Sequence, residues 1–217
     1  MNIFTKTLAS ILLIALFQGC DDNNEVNNSD FQYEKIEESK ITQQTKTYKS
    51  VENLVSTTEY ILNSVNGESI SVIKEGSRFY IPNATNQLVL FDFFTTWCPA
   101  CRSVAPHLAN IQKKYPKELL VIGVLIEEDK SNEDVIKFKK RYKADYMISN
   151  STNSDTNYAN FKLSNSVASL LRQPRSFPIP LLVMFKNGEY FTHYVGAVPE
   201  EMIESDIKEA LDLRGKK

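Results

Sequence analysis

Leu88-Val89-Leu90-Phe91-Asp92-Phe93-Phe94-Thr95-Thr96-Trp97-Cys98-Pro99-Ala100-Cys101 runs from an apolar segment into two cysteines separated by two residues. Leu88 to Phe94 is apolar except for one acid, the pattern of a central strand buried on both faces. After Cys101, the residues Val104, Leu108, Ile111 and Tyr115 fall at spacings of 4, 3 and 4, a helical stripe. A strand that runs straight into a helix places Cys98 at the helix N-terminus, where unpaired N–H groups and the macrodipole favour a thiolate. Cys98 is the expected nucleophile. Cys101, one turn on and more buried, is placed to resolve a mixed disulfide. Pro99 suits the first helical turn, where its missing donor would be unpaired anyway.

Downstream, Leu119 to Ile126 reads as a second buried strand, and Ser131-Asn132-Glu133-Asp134 as a capping box opening a helix with Val135, Phe138 and Tyr142 inward. A short strand over 144–149, a polar loop and a weak helix lead to Leu181-Leu182-Val183-Met184-Phe185, a strand turning at Asn187-Gly188 and returning over Tyr190 to Val195. Pro199, at a first-turn position, starts a closing helix with Ile203, Ile207, Ala210 and Leu211 inward. Upstream, Tyr60 to Val65 and Glu68 to Ile73 flank Asn66-Gly67, which predicts a two-residue hairpin with both turn residues at positive φ. Arg78 to Ile81 adds a short strand. This order predicts an α/β domain over residues 51–217, a mixed sheet covered by helices on both faces with an N-terminal β-hairpin extension.

The 217 residues suffice for one such domain plus appendages. Twenty-five basic residues against 27 acidic ones leave a net charge of −2, with no basic excess to neutralise phosphates, so nucleic acid is excluded as the expected partner. Residues 1–19 read as a signal peptide. The apolar run Leu8 to Phe17 is too short for a bilayer, which takes about 20 helical residues. The run ends in Gln18-Gly19-Cys20, similar to the lipobox of bacterial lipoproteins, although Phe17 and Gln18 depart from that pattern. Cys20 is then the expected lipidated residue, and 20–50, rich in Asn, Gln, Thr and Ser, the expected tether, with a span of roughly 30 Å. Export places the thiols in an oxidising compartment, where a reduced pair needs an electron donor.

Three cysteines are too few for a disulfide scaffold or a four-thiolate zinc site. Half a zinc site and a structural disulfide remain the bland readings of the pair. Asp92 reads as buried, with a raised pKa suited to moving protons, or as a solvated strand end. Trp97 is equally explicable as packing. Arg102 and Glu127-Glu128-Asp129 read by default as solvated, with an assisting role near the thiols as the sharper alternative. His107 and His193 read as bystanders.

Taken together, these residues resemble the thioredoxin superfamily, and within it the exported TlpA-like and ResA-like thiol–disulfide oxidoreductases. The resemblance rests on Trp97 before the first cysteine, Asp92 six residues ahead of Cys98, Pro106 five after Cys101, and Ile179-Pro180 opening the strand and Asn187-Gly188 hairpin. It implies a cis Ile179–Pro180 bond facing the cysteines, catalytic roles for Cys98, Cys101, Asp92 and Pro180, and substrate contacts from Trp97, Pro99, Ala100 and Ile179. It also implies disulfide-bearing exported proteins as substrates, a membrane thiol reductase as donor, a periplasmic or cell-envelope location, and no cofactor. Leu181 stands where the family usually has Thr. Pro99-Ala100 lacks the His of the strong oxidant DsbA, which points to the reducing direction. A disulfide-forming oxidase and an anchored, non-enzymatic binding module are the alternatives.

Overall fold

The computed structural model describes residues 56–82, 84, 88–173 and 178–212. The expected leader (1–19), the tether with its lipidation site Cys20 (20–50) and the start of the expected domain (51–55) lie outside the described residues. Strands β1 (Thr57–Asn63), β2 (Ser69–Glu75) and β3 (Arg78–Tyr80) precede β4 (Leu88–Phe94), α1 (Pro99–Lys114), β5 (Leu119–Leu125), α2 (Asn132–Tyr142) and β6 (Met147–Ser149). Helix α3 (Ala159–Leu170), the hairpin β7 (Leu181–Lys186) and β8 (Glu189–Val195), and α4 (Glu200–Ala210) follow.

The first three strands form an antiparallel sheet, and the others form a mixed sheet in the order β6-β5-β4-β7-β8. Strand β4 runs parallel to β5 and antiparallel to β7, so it is central and buried along its whole length, as its apolar run requires. Its side chains alternate between two cores. Leu88, Leu90 and Phe94 pack with Val104, Leu108 and Ile111 of α1, Val135 and Phe138 of α2, and Ile203 and Ile207 of α4. Val89, Phe91 and Phe93 pack on the other face with Leu163 and Val167 of α3. Tyr60, Leu62, Val72 and Phe79 of the N-terminal sheet share that second core. The extension therefore helps to cover the mixed sheet. Phe79 meets Phe185 at 5.2 Å, and Phe185 meets Phe91 at 5.8 Å. Burying each such side chain contributes about 1.5–3 kcal/mol toward holding the three-strand sheet in place.

Two turns with the same dipeptide behave differently. At Asn187-Gly188 both residues have positive φ (52° and 84°), and Lys186 pairs directly with Glu189, the expected two-residue hairpin. At Asn66-Gly67 only Gly67 has positive φ, at 91°. Ser64 N–H donates to Glu68 O and Gly67 N–H to Ser64 O, giving a three-residue loop, Val65-Asn66-Gly67, instead of the expected two-residue turn. The cause is tertiary. Val65 N–H donates to Ile148 O at 3.1 Å, Asn150 N–H to Asn63 O at 3.0 Å, and Ser64 bridges to Ser149, so the hairpin tip is taken up by the β6 edge. Pro199 also differs slightly from expectation: it sits one residue outside α4 as its cap. Ser131 caps α2 as expected, accepting from Asp134 N–H at 3.1 Å, but the Asp134 carboxylate receives the Ser131 hydroxyl rather than a backbone N–H.

Candidate active site

The β4–α1 junction carries the chemistry. Cys98 is the cap residue of α1, with φ −70° and ψ 119°, and its Sγ accepts the N–H of Cys101 at 3.2 Å. That bond uses a donor the helix start would otherwise leave unpaired, and it sets the partial positive charge of the N–H against the sulfur. Cys98 and Cys101 are joined as a disulfide, with Cα atoms 5.3 Å apart. Cys101 is 1% exposed on the inner face of α1. Cys98, read from sequence as the open thiol, is itself only 4% exposed in this oxidised form. The Ile179–Pro180 peptide bond is cis. The carbonyl of Ile179 lies 3.8 Å from Cys98 Sγ, a contact rather than a hydrogen bond because a disulfide sulfur carries no proton. Trp97 is 60% exposed, so packing does not account for it. Pro99 is exposed and Ala100 half-buried.

Thr96, before Trp97, is held on every side. Glu127 Oε2 accepts its N–H at 2.8 Å and its hydroxyl at 2.7 Å, while Arg102 Nε donates to its carbonyl at 2.8 Å. Glu127 also pairs with Lys130 at 3.1 Å, and the Arg102 guanidinium lies 5.4 Å above the Tyr142 ring. The default reading of these two charges as solvated is therefore corrected. Both brace the turn that presents Trp97 and Cys98, each through a backbone atom of Thr96, and Glu127 through the Thr96 hydroxyl as well. Glu127→Ala leaves the Thr96 N–H and hydroxyl without their acceptor and should cost about 1–3 kcal/mol of stability, with Glu127→Gln costing less because it keeps an acceptor oxygen. Urea denaturation of the oxidised protein measures both, and equal losses would remove the hydrogen bonds as the cause.

Asp92 is 1% exposed, on the same face of β4 as Leu90 and Phe94 and therefore on the side of the sheet that α1 and Cys101 cover. Burial raises its pKa from 3.8 to about 7, against the opposing effect of a hydrogen bond from Tyr146. The Tyr146 hydroxyl donates to Oδ2 at 3.0 Å, and Oδ1 has no hydrogen-bond partner among the described residues. Tyr146 was not among the residues singled out from sequence. His107 pairs with Glu200 at 3.3 Å and His193 with the Tyr190 hydroxyl at 2.7 Å, so each histidine is satisfied without the cysteines. Among the described residues, no three His, Cys, Asp or Glu side chains converge as a metal site.

Residues 74–173 match the thioredoxin family by sequence. The thioredoxin-like protein YneN of Bacillus subtilis is 31% identical over 74 residues, which cover 34% of this chain and 44% of that protein. A thioredoxin of Listeria monocytogenes is 43% identical over 42 residues, covering 19% and 41% respectively. The chain thus spans less than half the length of either relative. Among solved structures, a thiol:disulfide interchange protein from Bacteroides sp. superposes with a TM-score of 0.52 at 14% identity, over 73% of this chain and 90% of that one. A thioredoxin family thiol:disulfide interchange protein from Chlorobium tepidum TLS gives 0.51 at 18% identity, over 70% and 93%. The sequence match and the two superpositions converge on one architecture: the domain has a thioredoxin-like fold, to which β1, β2 and β3 are an N-terminal addition.

Proposed function

We propose that the protein is a membrane-tethered thiol–disulfide oxidoreductase that reduces disulfides of exported proteins. The observation that carries this reading is the helix-start geometry, in which the Cys101 N–H points at Cys98 Sγ and favours negative charge there. In the reduced enzyme the Cys98 thiolate attacks a substrate disulfide, forming a mixed disulfide and expelling one substrate thiolate. Cys101 then loses its proton to Asp92 and attacks Cys98 Sγ. The second substrate thiolate leaves, and the Cys98–Cys101 disulfide forms. Two electrons from the dithiol of a membrane thiol reductase return the pair to its starting state. Pro180 and the Ile179 carbonyl beside Cys98 supply a backbone edge for the substrate strand, with Trp97, Pro99 and Ala100 around it. The chemistry calls for no cofactor. The tether runs from Cys20, lipidated at the envelope face of a bacterial membrane.

Two measurements test this. Reduction of insulin disulfides by the protein with a dithiol donor should be lost in Cys98→Ser. An inactive wild type that still binds envelope partners would replace the enzyme with a binding module. Intact mass of the membrane fraction should find diacylglyceryl mass on an N-terminal Cys20 peptide, abolished by Cys20→Ala, and an unmodified wild-type product would remove the lipid anchor.

A further inference from the structure

Asp92 sits in a strand whose two neighbours offer it no polar side chain in register: Gly123 on β5 and Leu182 on β7. Its hydrogen bond comes from beyond β5, from Tyr146 just ahead of β6, whose hydroxyl reaches Oδ2 at 3.0 Å. The ring passes over Gly123. A Cβ at that glycine would lie 3.1 Å from Tyr146 Cε2, 2.9 Å from Ile148 Cγ1 and 3.3 Å from Phe94 Cε1, so any larger residue at 123 would take space the tyrosine uses. Tyr146 is held from the α2 side as well, where Lys139 Nζ donates to its main-chain carbonyl. Both residues are buried, at 5% and 1% exposed, and among the described residues Asp92 Oδ1 has no hydrogen-bond partner.

We infer that Tyr146, admitted by Gly123, is a positioning residue for Asp92, holding Oδ2 and leaving Oδ1 as the oxygen that gains and loses the proton. The inference rests on the proton-transfer role proposed above, in which the S–H bond of Cys101 breaks as an O–H bond forms on Oδ1. Tyr146 keeps its own proton throughout, because burial and the adjacent Asp92 charge hold its pKa well above the usual tyrosine range. A hydrogen bond to a carboxylate is stronger than one to the neutral acid, so Tyr146 works against the burial that raises Asp92 to about 7. Among the described residues, burial and the Tyr146 hydrogen bond are the influences that set the Asp92 pKa. Strands β5 and β7 contribute Gly123 and Leu182, α1 contributes Cys101, closed in the disulfide, and the α2 ammonium of Lys139 is engaged by the Tyr146 carbonyl.

The test uses the oxidised protein, in which the cysteines do not titrate. The Asp92 carboxyl-carbon resonance is followed by NMR against pH in the wild type, Tyr146→Phe, Gly123→Ala and the double variant. Loss of the charge-assisted bond should raise the midpoint in Tyr146→Phe by about one pH unit. Gly123→Ala should move it the same way, and the double variant no further than Tyr146→Phe, because both changes remove one contact. In the wild type, the hydroxyl-bearing ring carbon of Tyr146 should report the same midpoint as Asp92, a reading that needs no variant. An unmoved midpoint in folded Tyr146→Phe, or a Tyr146 resonance blind to the Asp92 titration, overturns the inference. The pH profile of mixed-disulfide resolution should shift with the NMR midpoint. A moved midpoint with an unmoved rate profile upholds the Tyr146–Asp92 pairing and overturns the proton-transfer role instead.

Discussion

Expressed in its own cell envelope, Cys101→Ser should accumulate mixed disulfides through Cys98 at ten times or more the level seen with Cys98→Ser. The asymmetry follows from where α1 puts the two sulfurs. Cys98 caps the helix, takes the N–H of Cys101 and lies beside the Ile179 carbonyl, while Cys101 faces inward with Val104 and Leu108. A substrate disulfide therefore reacts with Cys98, and a serine at 101 cannot complete the exchange, since a hydroxyl near neutral pH is far too weak a nucleophile toward sulfur. Mass spectrometry of the trapped species identifies the clients. Acid quenching and thiol alkylation of the wild type should find the pair mostly reduced in the cell, with a potential nearer the thioredoxin value of about −270 mV than the DsbA value of about −120 mV. A largely oxidised pair near the latter value reverses the assignment to a disulfide-forming oxidase. No Cys98-linked species at all favours a binding module.

The central strand, the helix after it and the cysteine pair were legible because each is specified locally. Seven consecutive buried residues, a stripe at helical spacing and Cys-Pro-Ala-Cys at the junction need no distant partner to be recognised. Asn187-Gly188 was legible for the same reason, since β3 meets that turn through Phe79 N–H and Arg78 without disturbing the direct pairing of Lys186 with Glu189. Asn66-Gly67 was not, because the β6 edge takes up the backbone groups of Asn63 and Val65 and reshapes the loop from outside. Arg102 and Glu127 were misread for a related reason: each binds a main-chain atom of Thr96, and no pattern of residue types records a side chain that binds backbone 6 or 31 positions away. The Tyr146–Asp92 bond spans 54 positions. Its one trace in the sequence is Gly123, a glycine in the middle of an otherwise apolar strand, where a missing side chain signals that something approaches closely.

In the oxidised protein, Asp92→Asn should raise stability above about pH 7 and leave it nearly unchanged near pH 4. The folded-state pKa of Asp92, about 7, lies above the unfolded value of 3.8, so between those limits the native state holds a proton that the unfolded state has released. Native stability is then fullest at the acid end of that window and is lost as pH rises through it. The difference of about three pH units corresponds to about 4 kcal/mol at about 1.4 kcal/mol per unit. Asparagine carries no charge at any of these pH values and keeps an acceptor for the Tyr146 hydroxyl, so its urea midpoint should stay flat where that of the wild type falls. Catalysis should respond in the opposite sense. Without the carboxylate, Cys101 has no buried base, and resolution of a preformed Cys98 mixed disulfide should slow tenfold or more near pH 7, a conservative share of what a positioned base contributes. The two rates should draw together as the pH rises far enough for the thiol to ionise without the carboxylate. Parallel stability curves for the two proteins would remove the buried-charge account of Asp92. A resolution rate unchanged across the range would remove its role as base while leaving the structural account intact.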